Sequence, residues 1–256
     1  MPAELTLSGG TLFSFLLVLA RVGGALSFVP LPGFKTSPQI VRVVLAVAFT
    51  LALAPRWPKV TVPAGAAFLA GQVICEAAVG IAVGIAVAVV LEALTMAAQI
   101  LGLQAGYAYA STIDPNSEAD SGVLLVLAQL FAGMLFFAIG LDRTVLRLFA
   151  ESLDRLPPGS AVFSPRHGEA VIHMAAGLFS WGFRLAMPVV ALLVLVDVAL
   201  ALMGRLNAQL QLLSLAFPAK MLTGLAVLSS AAVLFPRVIE QFARQTLTSV
   251  EWILGL

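Results

Sequence analysis

Apolar residues run along this chain in long, nearly unbroken blocks, with none of the narrow stripes or strict alternation expected of a soluble fold. Six blocks stand out, at 12–29, 41–54, 64–91, 123–141, 171–203 and 210–235. A helix needs about 20 apolar residues to cross a bilayer core, and most of the six meet that length. The block at 41–54 is the exception. It is short for a crossing and bracketed by Pro38 and Pro55, so a half-crossing helix also fits it. Pro188 lies inside the fifth block and Pro218 inside the sixth. Each removes a backbone donor, which predicts a kink in the fifth. Strands are excluded, because an open sheet leaves its edges unsatisfied in lipid and the alternation of a barrel is absent. The pattern therefore predicts an all-α, polytopic membrane protein.

The connections are compact and punctuated by Pro and Gly. Pro30, Pro32, Gly33 and Pro38 mark the first, and Pro55, Pro58 and Pro63 the second. Leu156-Pro157-Pro158-Gly159 breaks the longest polar stretch, 142–169. None is long enough for a separate soluble domain, so 1–256 is read as one integral membrane domain. With all six blocks crossing, one side carries eight basic residues, among them Arg143, Arg147, Arg237 and Arg244. The other carries only Lys35, Arg42 and Arg205. The excess predicts both termini on the cytoplasmic side. No basic n-region precedes the first block, where Glu4 is the sole charge before Arg21. That block is therefore expected to be retained rather than cleaved as a signal peptide.

Composition agrees with the blocks. Of 256 residues, 61% are hydrophobic and 11% charged, against about 25% charged in soluble domains. One core cannot bury that excess, so lipid or a packed membrane complex is needed as a second apolar solvent. The net charge of +1 offers no footprint for a polyanion, and nucleic acid is not an expected partner. The single cysteine, Cys75, cannot form an internal disulfide.

Ionisable residues inside the blocks are Arg21, Glu76, Arg184, Asp197 and Lys220. Each costs about 2.5–3.5 kcal/mol at a helix centre on insertion scales, so each needs a reason. Two readings stand: a polar pathway or subunit interface, and pairing inside the bundle. Asp197 and Lys220 lie at similar distances either side of the turn at 204–209. A hairpin about that turn brings them to the same depth and predicts a buried charge pair. His167 and His173 do not share a helical face, and no carboxylate accompanies both at ligand spacing, so neither metal nor cofactor is expected. Walker, GxSxG and HExxH motifs are missing, and Gly102, Gly106 and Gly122 lack the βαβ context of a dinucleotide site. A structural or conducting membrane part is expected rather than an enzyme.

The most unusual stretch is 98–122. Ala98, Gly102, Gly106 and Ala110 recur every four residues. On one helix they form a stripe of small side chains that admits a second backbone, although a chain rich in Ala and Gly also produces such a stripe by chance. Asp114-Pro115-Asn116-Ser117 then ends the helix, with Ser111 just before it and Glu118 and Asp120 adding negative charge. No basic residue occurs from 92 to 142, and the only two tyrosines, Tyr107 and Tyr109, stand before the loop. An acidic loop with adjacent aromatics between apolar helices suits a movable pore plug. The same composition also suits an ordinary connector.

At this stretch the chain resembles the FliR family of type III export-gate subunits. The resemblance is carried by Gly102-Leu103-Gln104-Ala105-Gly106, Ala110 and Asp114-Pro115 in the centre. Pro38, Arg42 and Leu53-Ala54-Pro55 match the early pattern, and Leu156-Pro157 with Gly159 the loop after the fourth block. Arg205, Gln209, Leu210, Phe217, Pro218, Lys220 and Gly224 match the late one. Ala208 and Ala216 depart from it, standing where members usually have Pro and often have Gly. The resemblance implies tilted, bent helical hairpins and a gate that lies largely above the membrane plane. It implies assembly with FliP-like and FliQ-like membrane subunits beside FlhB-like and FlhA-like export components. It also implies passage of unfolded flagellar proteins, a place in the inner membrane at the flagellar basal body, and a central loop that plugs the pore. The equivalent subunit of a virulence injectisome (SctT) shares this pattern. A small secondary transporter with broken helices at Pro188 and Pro218, and Asp197 as ion ligand, is the alternative from another class.

Overall fold

The structure is a computed structural model and describes residues 9–29, 39–57, 65–107, 123–160, 165–206 and 212–253. Among these residues every regular element is helical and no strand occurs. In chain order they are α1 (Gly9–Phe28), α2 (Gln39–Ala52), a 3-10 turn (Ala54–Arg56), α3 (Ala66–Ala105), α4 (Val123–Ala138), α5 (Leu141–Arg155), α6 (Pro165–Leu206), α7 (Leu212–Ala231) and α8 (Phe235–Ile253).

Helix boundaries depart from the apolar blocks for local reasons. The third block, 64–91, is the front of a 40-residue helix, because no Pro or polar run interrupts the chain before Gly106. There Gly106 adopts φ +85°. Its N–H donates to Leu103 O at 3.2 Å, and Tyr107 N–H donates to Gly102 O at 2.9 Å. This is a glycine-terminated Schellman cap. The fourth block stops at Ala138, since Gly140 at φ +72° turns the chain and begins α5 as a separate helix. The fifth block extends to 42 residues and continues through Pro188 as one helix.

Two helices arise where no apolar block was read. α5 occupies the polar stretch 142–169, with Leu141, Val145, Leu148, Phe149 and Leu153 buried at helical spacing. α8 buries Phe235, Ile239, Phe242, Ala243, Leu247 and Val250 in the same rhythm and exposes Arg237, Gln241 and Arg244. Both are amphipathic helices, and a search for long apolar runs passes over them.

Three helices, Gly9–Phe28, Ala66–Ala105 and Gly168–Arg205, are long and apolar enough to cross a membrane. The number rises to five when each of two bent helix pairs counts as one span. The chain is a multi-pass membrane protein, and Gln39–Ala52 is a further apolar helix shorter than a full crossing. The cytoplasmic assignment of both termini rests on all six blocks crossing, the short block at 41–54 among them. At about 1.5 Å per residue α3 and α6 each run about 60 Å, roughly twice the hydrocarbon thickness. Neither can stand wholly within lipid along the membrane normal.

The residues divide into two compact units. One contains Met1–Val89, Gly140–Ala175 and Ala243–Leu256, and the other Val90–Ile139 and Ala176–Phe242. In the first unit α1 meets α2 and α5 through Val18, Val22, Ala46 and Leu153, flanked by Phe49 and Trp57. The Trp57 indole donates to Thr50 O at 3.1 Å and its ring lies 5.5 Å from that of Phe15. α1 also meets α3 at backbone contact. A Cβ on Gly80 would fall 1.9 Å from Arg21 O, one on Gly84 2.5 Å from Ala25 O, and one on Gly24 2.5 Å from Ala77 O. In the second unit Trp181 stacks on Phe242 at 5.0 Å, and Phe131 meets Phe235 edge-on at 6.1 Å. Gly182 admits Met96, whose sulfur would lie 2.9 Å from an added Cβ.

Candidate functional site

A hydroxyl inside an apolar helix can close onto its own backbone. Ser14, Thr50 and Thr223 do so, each donating to the carbonyl four residues back. A charge has no such local exit. Two polar clusters, one in each unit, show how this chain accommodates its charges.

In the first unit Arg21 and Glu76 are both 0% exposed. Arg21 Nε donates to Glu76 Oε2 at 2.6 Å, and Nη2 lies at the same distance from that oxygen. Nη2 also donates to Leu156 O at 3.0 Å, while Nη1 donates to Ser152 O at 3.0 Å and Ser152 Oγ at 3.2 Å. The other carboxylate oxygen of Glu76 accepts from Gly159 N–H at 2.8 Å. Gln72 donates to Gly159 O at 3.0 Å. The guanidinium thus makes five contacts to four acceptor atoms, a fan that the single ammonium of lysine cannot supply. Leu156 O, behind the end of α5, takes its hydrogen bond from Arg21, while Ser152 O accepts from Arg21 and also from Leu156 N–H at 2.9 Å. Gly159 holds φ +92°, which explains the glycine in Leu156-Pro157-Pro158-Gly159. The ion pair therefore fastens α1, α3 and the 156–159 turn at one point.

In the second unit Lys220 Nζ lies 2.9 Å from Asp197 Oδ1 and 3.0 Å from Oδ2. Gln104 Nε2 donates to Asp197 Oδ2 at 3.1 Å. Lys220 is 17% exposed and Asp197 42%. Tyr107 donates to Met221 O at 3.2 Å. Burial raises the hydroxyl's pKa above its ordinary value, so it remains a donor at neutral pH. Arg184 is exposed and sits 5.0 Å over the Trp181 ring, a cation–π contact.

The stripe of small residues is placed differently from its helical expectation. Ala98 is buried, but a Cβ on Gly102 would meet nothing within 4 Å. Gly106 stands past the end of α3 in its left-handed cap, so the stripe is not continuous on one helix. Within this chain, backbone-to-backbone approach among the described residues occurs at Gly24, Gly80 and Gly84, the last two at a four-residue spacing visible in the sequence. Ala110, Tyr109, Ser111, Asp114, Pro115, Asn116 and Ser117 lie outside the described residues. Arg21 and Glu76 are 55 positions apart and no shared turn relates them, so the sequence leaves internal pairing open for both without matching one to the other.

None of this geometry builds a nucleophile, an acid–base pair or an oxyanion hole. It builds helices held at fixed points by internal charge. The comparison with known families supplies the deciding observation: the family model described as bacterial export proteins, family 1, matches residues 12–246. The chain belongs to that family. Among its relatives is the flagellar biosynthetic protein FliR of Escherichia coli (strain K12). It is 27% identical over 212 residues, which cover 83% of this chain and 81% of the relative. The FliR protein of Caulobacter vibrioides is 26% identical, covering 83% and 86%. That of Bacillus subtilis (strain 168) is 25% identical, covering 81% of each. The matched span takes in both polar clusters, so both lie in the part shared with this export family.

Proposed function

We propose that this chain is a non-enzymatic subunit of the flagellar type III protein export gate in the bacterial inner membrane, at the basal body. The observation that carries it is the family match across nearly the whole chain, joined to relatives named for flagellar biosynthesis. In this reading it assembles with FliP-like and FliQ-like subunits, works beside FlhB-like and FlhA-like components, and helps conduct unfolded proteins. The many exposed apolar side chains, such as Leu195, Leu202 and Leu222, support a role inside a larger membrane assembly. Co-expression tests it. The chain made alone is expected to aggregate, and with its two neighbours to form a discrete complex. A stable, monodisperse solo protein that transports solutes in liposomes would support the transporter reading instead.

The segment 109–121 serves as the movable plug in this proposal. A conduit wide enough for an unfolded chain must close when idle, and loops supply low-stability moving parts. Tyr107, tied to the Met221 carbonyl, braces the near end. Deleting 111–119 is expected to leave assembly intact but make cells leak ions, with a milder leak from Tyr107→Ala. Unchanged permeability in a normally assembled complex leaves the loop a connector.

A further inference from the structure

We propose that Arg184 docks a carboxylate carried on an apolar helix of a neighbouring, dissimilar subunit, an inference that rests on the reading of this chain as part of a larger membrane complex. Five ionisable residues lie inside the apolar blocks. Four of them pair within the chain, Arg21 with Glu76 and Asp197 with Lys220. Arg184 is the fifth. Among the described residues it has no ion pair or hydrogen bond, and only the face of the Trp181 ring holds its guanidinium. Trp181 is itself buried and stacked on Phe242. The guanidinium is thus fixed by its face against a rigid ring, with the N–H groups of its edge left to donate. Four residues on, Pro188 has no N–H, so the Arg184 carbonyl lacks its usual helical donor. Both residues are exposed, and this face of α6 therefore offers a cation and a spare acceptor at one level.

The surroundings decide which anion answers it. From 174 to 196 Arg184 is the only charged residue. At about 1.5 Å per residue, the ends of that apolar run stand about 15 Å or more away. Where the run lies in lipid, Arg184 sits near the midplane, too deep for its side chain to snorkel to either headgroup layer. Where it lies above the membrane there is no headgroup to reach, and Phe179, Phe183 and Met187, exposed around it, still need an apolar cover. A protein helix with one carboxylate set in an apolar face satisfies both settings. A planar guanidinium takes such a carboxylate through two parallel N–H···O bonds. A second copy of this chain has none to spare among the described carboxylates on its apolar helices. Glu76 is sealed, Asp197 is held by Lys220 and Gln104, and Glu92 accepts from Thr95 Oγ1.

The test uses the full chain co-expressed with its FliP-like and FliQ-like neighbours. A photoreactive residue in place of Met187, illuminated in the intact complex, is expected to capture a partner polypeptide whose captured peptide carries Asp or Glu within an apolar run. Arg184→Glu sets like charges face to face and should lower the yield of the complex by about tenfold or more. Changing the captured carboxylate to Arg in the same cells should restore most of that loss. Capture of phospholipid alone or of a second copy of this chain alone overturns the proposal. So does a captured peptide without a carboxylate, or an unchanged yield of the Arg184→Glu complex. Where a reversed charge does not fold, the neutral cycle decides. Arg184→Gln and the partner's carboxylate-to-amide change should then cost no more together than the worse of the two alone, and additive losses overturn the pair. A wild-type chain that forms no complex overturns the export reading and this pairing together, whereas an assembled complex indifferent to Arg184 overturns the pairing alone.

Discussion

The two polar clusters hold the same kind of bond in opposite settings. Arg21 and Glu76 are fully buried, and their remaining hydrogen bonds go to Ser152 near the end of α5 and to the backbone of the 156–159 turn. Asp197 and Lys220 lie at the border of their unit, with the carboxylate 42% exposed and one side chain, Gln104, in attendance. Burial changes what a charge pair does. A sealed pair cannot lose one member without leaving the other stranded, so it becomes a condition of the fold. A bordering pair can rehydrate, and its loss is felt mainly as lost attraction. The first cluster thus fixes architecture, whereas the second keeps part of its charge available to whatever lies outside the chain.

The largest effect is expected at the sealed pair. Arg21→Met or Glu76→Gln should each cost about 3–5 kcal/mol, enough to remove folded protein from the membrane fraction. The double change Arg21→Met with Glu76→Leu should recover only part. It removes both charges, but Leu156 O and Gly159 N–H lose their side-chain partners, at about 1–3 kcal/mol for each, while Ser152 O keeps its bond from Leu156 N–H. Full recovery would show that the turn does not depend on the pair. Quantitative immunoblotting of detergent-extracted protein reads all three variants.

The next effect belongs to the backbone contact beneath that pair. Gly80→Ala gains about 1 kcal/mol of helix propensity, yet its Cβ would sit 1.9 Å from Arg21 O. Since backbone and not a flexible side chain opposes it, α1 and α3 must separate. Overpacking of this kind costs about 1–3 kcal/mol, and separation also loosens the ion pair, so the net effect is destabilising. Gly102→Ala, with nothing within 4 Å, should be neutral or slightly stabilising in the isolated chain. A lower thermal midpoint for the first and an unchanged one for the second is the expected pattern. A shift at Gly102 alone would return the close contact to the 98–106 stripe.

These positions show what could be read from the sequence. The all-α membrane class follows from block length and the backbone's need for partners in lipid. Export-family membership follows from the order of short motifs along the chain. Equal spacing about one turn is a local signal, and it relates Asp197 to Lys220. Arg21 and Glu76 belong to segments joined by no such turn, so their partnership is a property of packing. The Gly80–Gly84 spacing is legible in the sequence, but it is shorter than the stripe at 98–110, so length alone does not mark it as the close contact within this chain. α5 and α8 escaped because each buries only one face, and charge on the other face dilutes the apolar signal.

A smaller effect is expected at the bordering pair. Asp197→Asn and Lys220→Met should each destabilise by about 1 kcal/mol, and the double change should recover part of the combined loss. Asp197→Asn retains an acceptor for Gln104, so it should be milder than Asp197→Leu. Yield of the assembled complex and its thermal midpoint measure the cycle. Strictly additive losses would mean that each charge answers to a group outside this chain rather than to the other.

The smallest effect is expected at Arg56 and Asp154, which supply the limiting case. Arg56 Nη1 donates to Asp154 Oδ2 at 3.0 Å, a distance like those inside the sealed cluster. Their side chains are 48% and 58% exposed, and water competes for both. Attraction in high dielectric is nearly offset by the entropy of holding two long side chains, leaving about 0.2–1 kcal/mol at most. Arg56→Ala should therefore move the thermal midpoint only slightly, and added salt should shrink the difference further by screening. The pair at Arg21 and Glu76 should show no such salt dependence, since no ion can enter between two fully buried groups. Measuring both variants across a salt series separates distance from burial as the determinant. If Arg56→Ala proved as damaging as Arg21→Met, geometry alone would set the strength of these bonds.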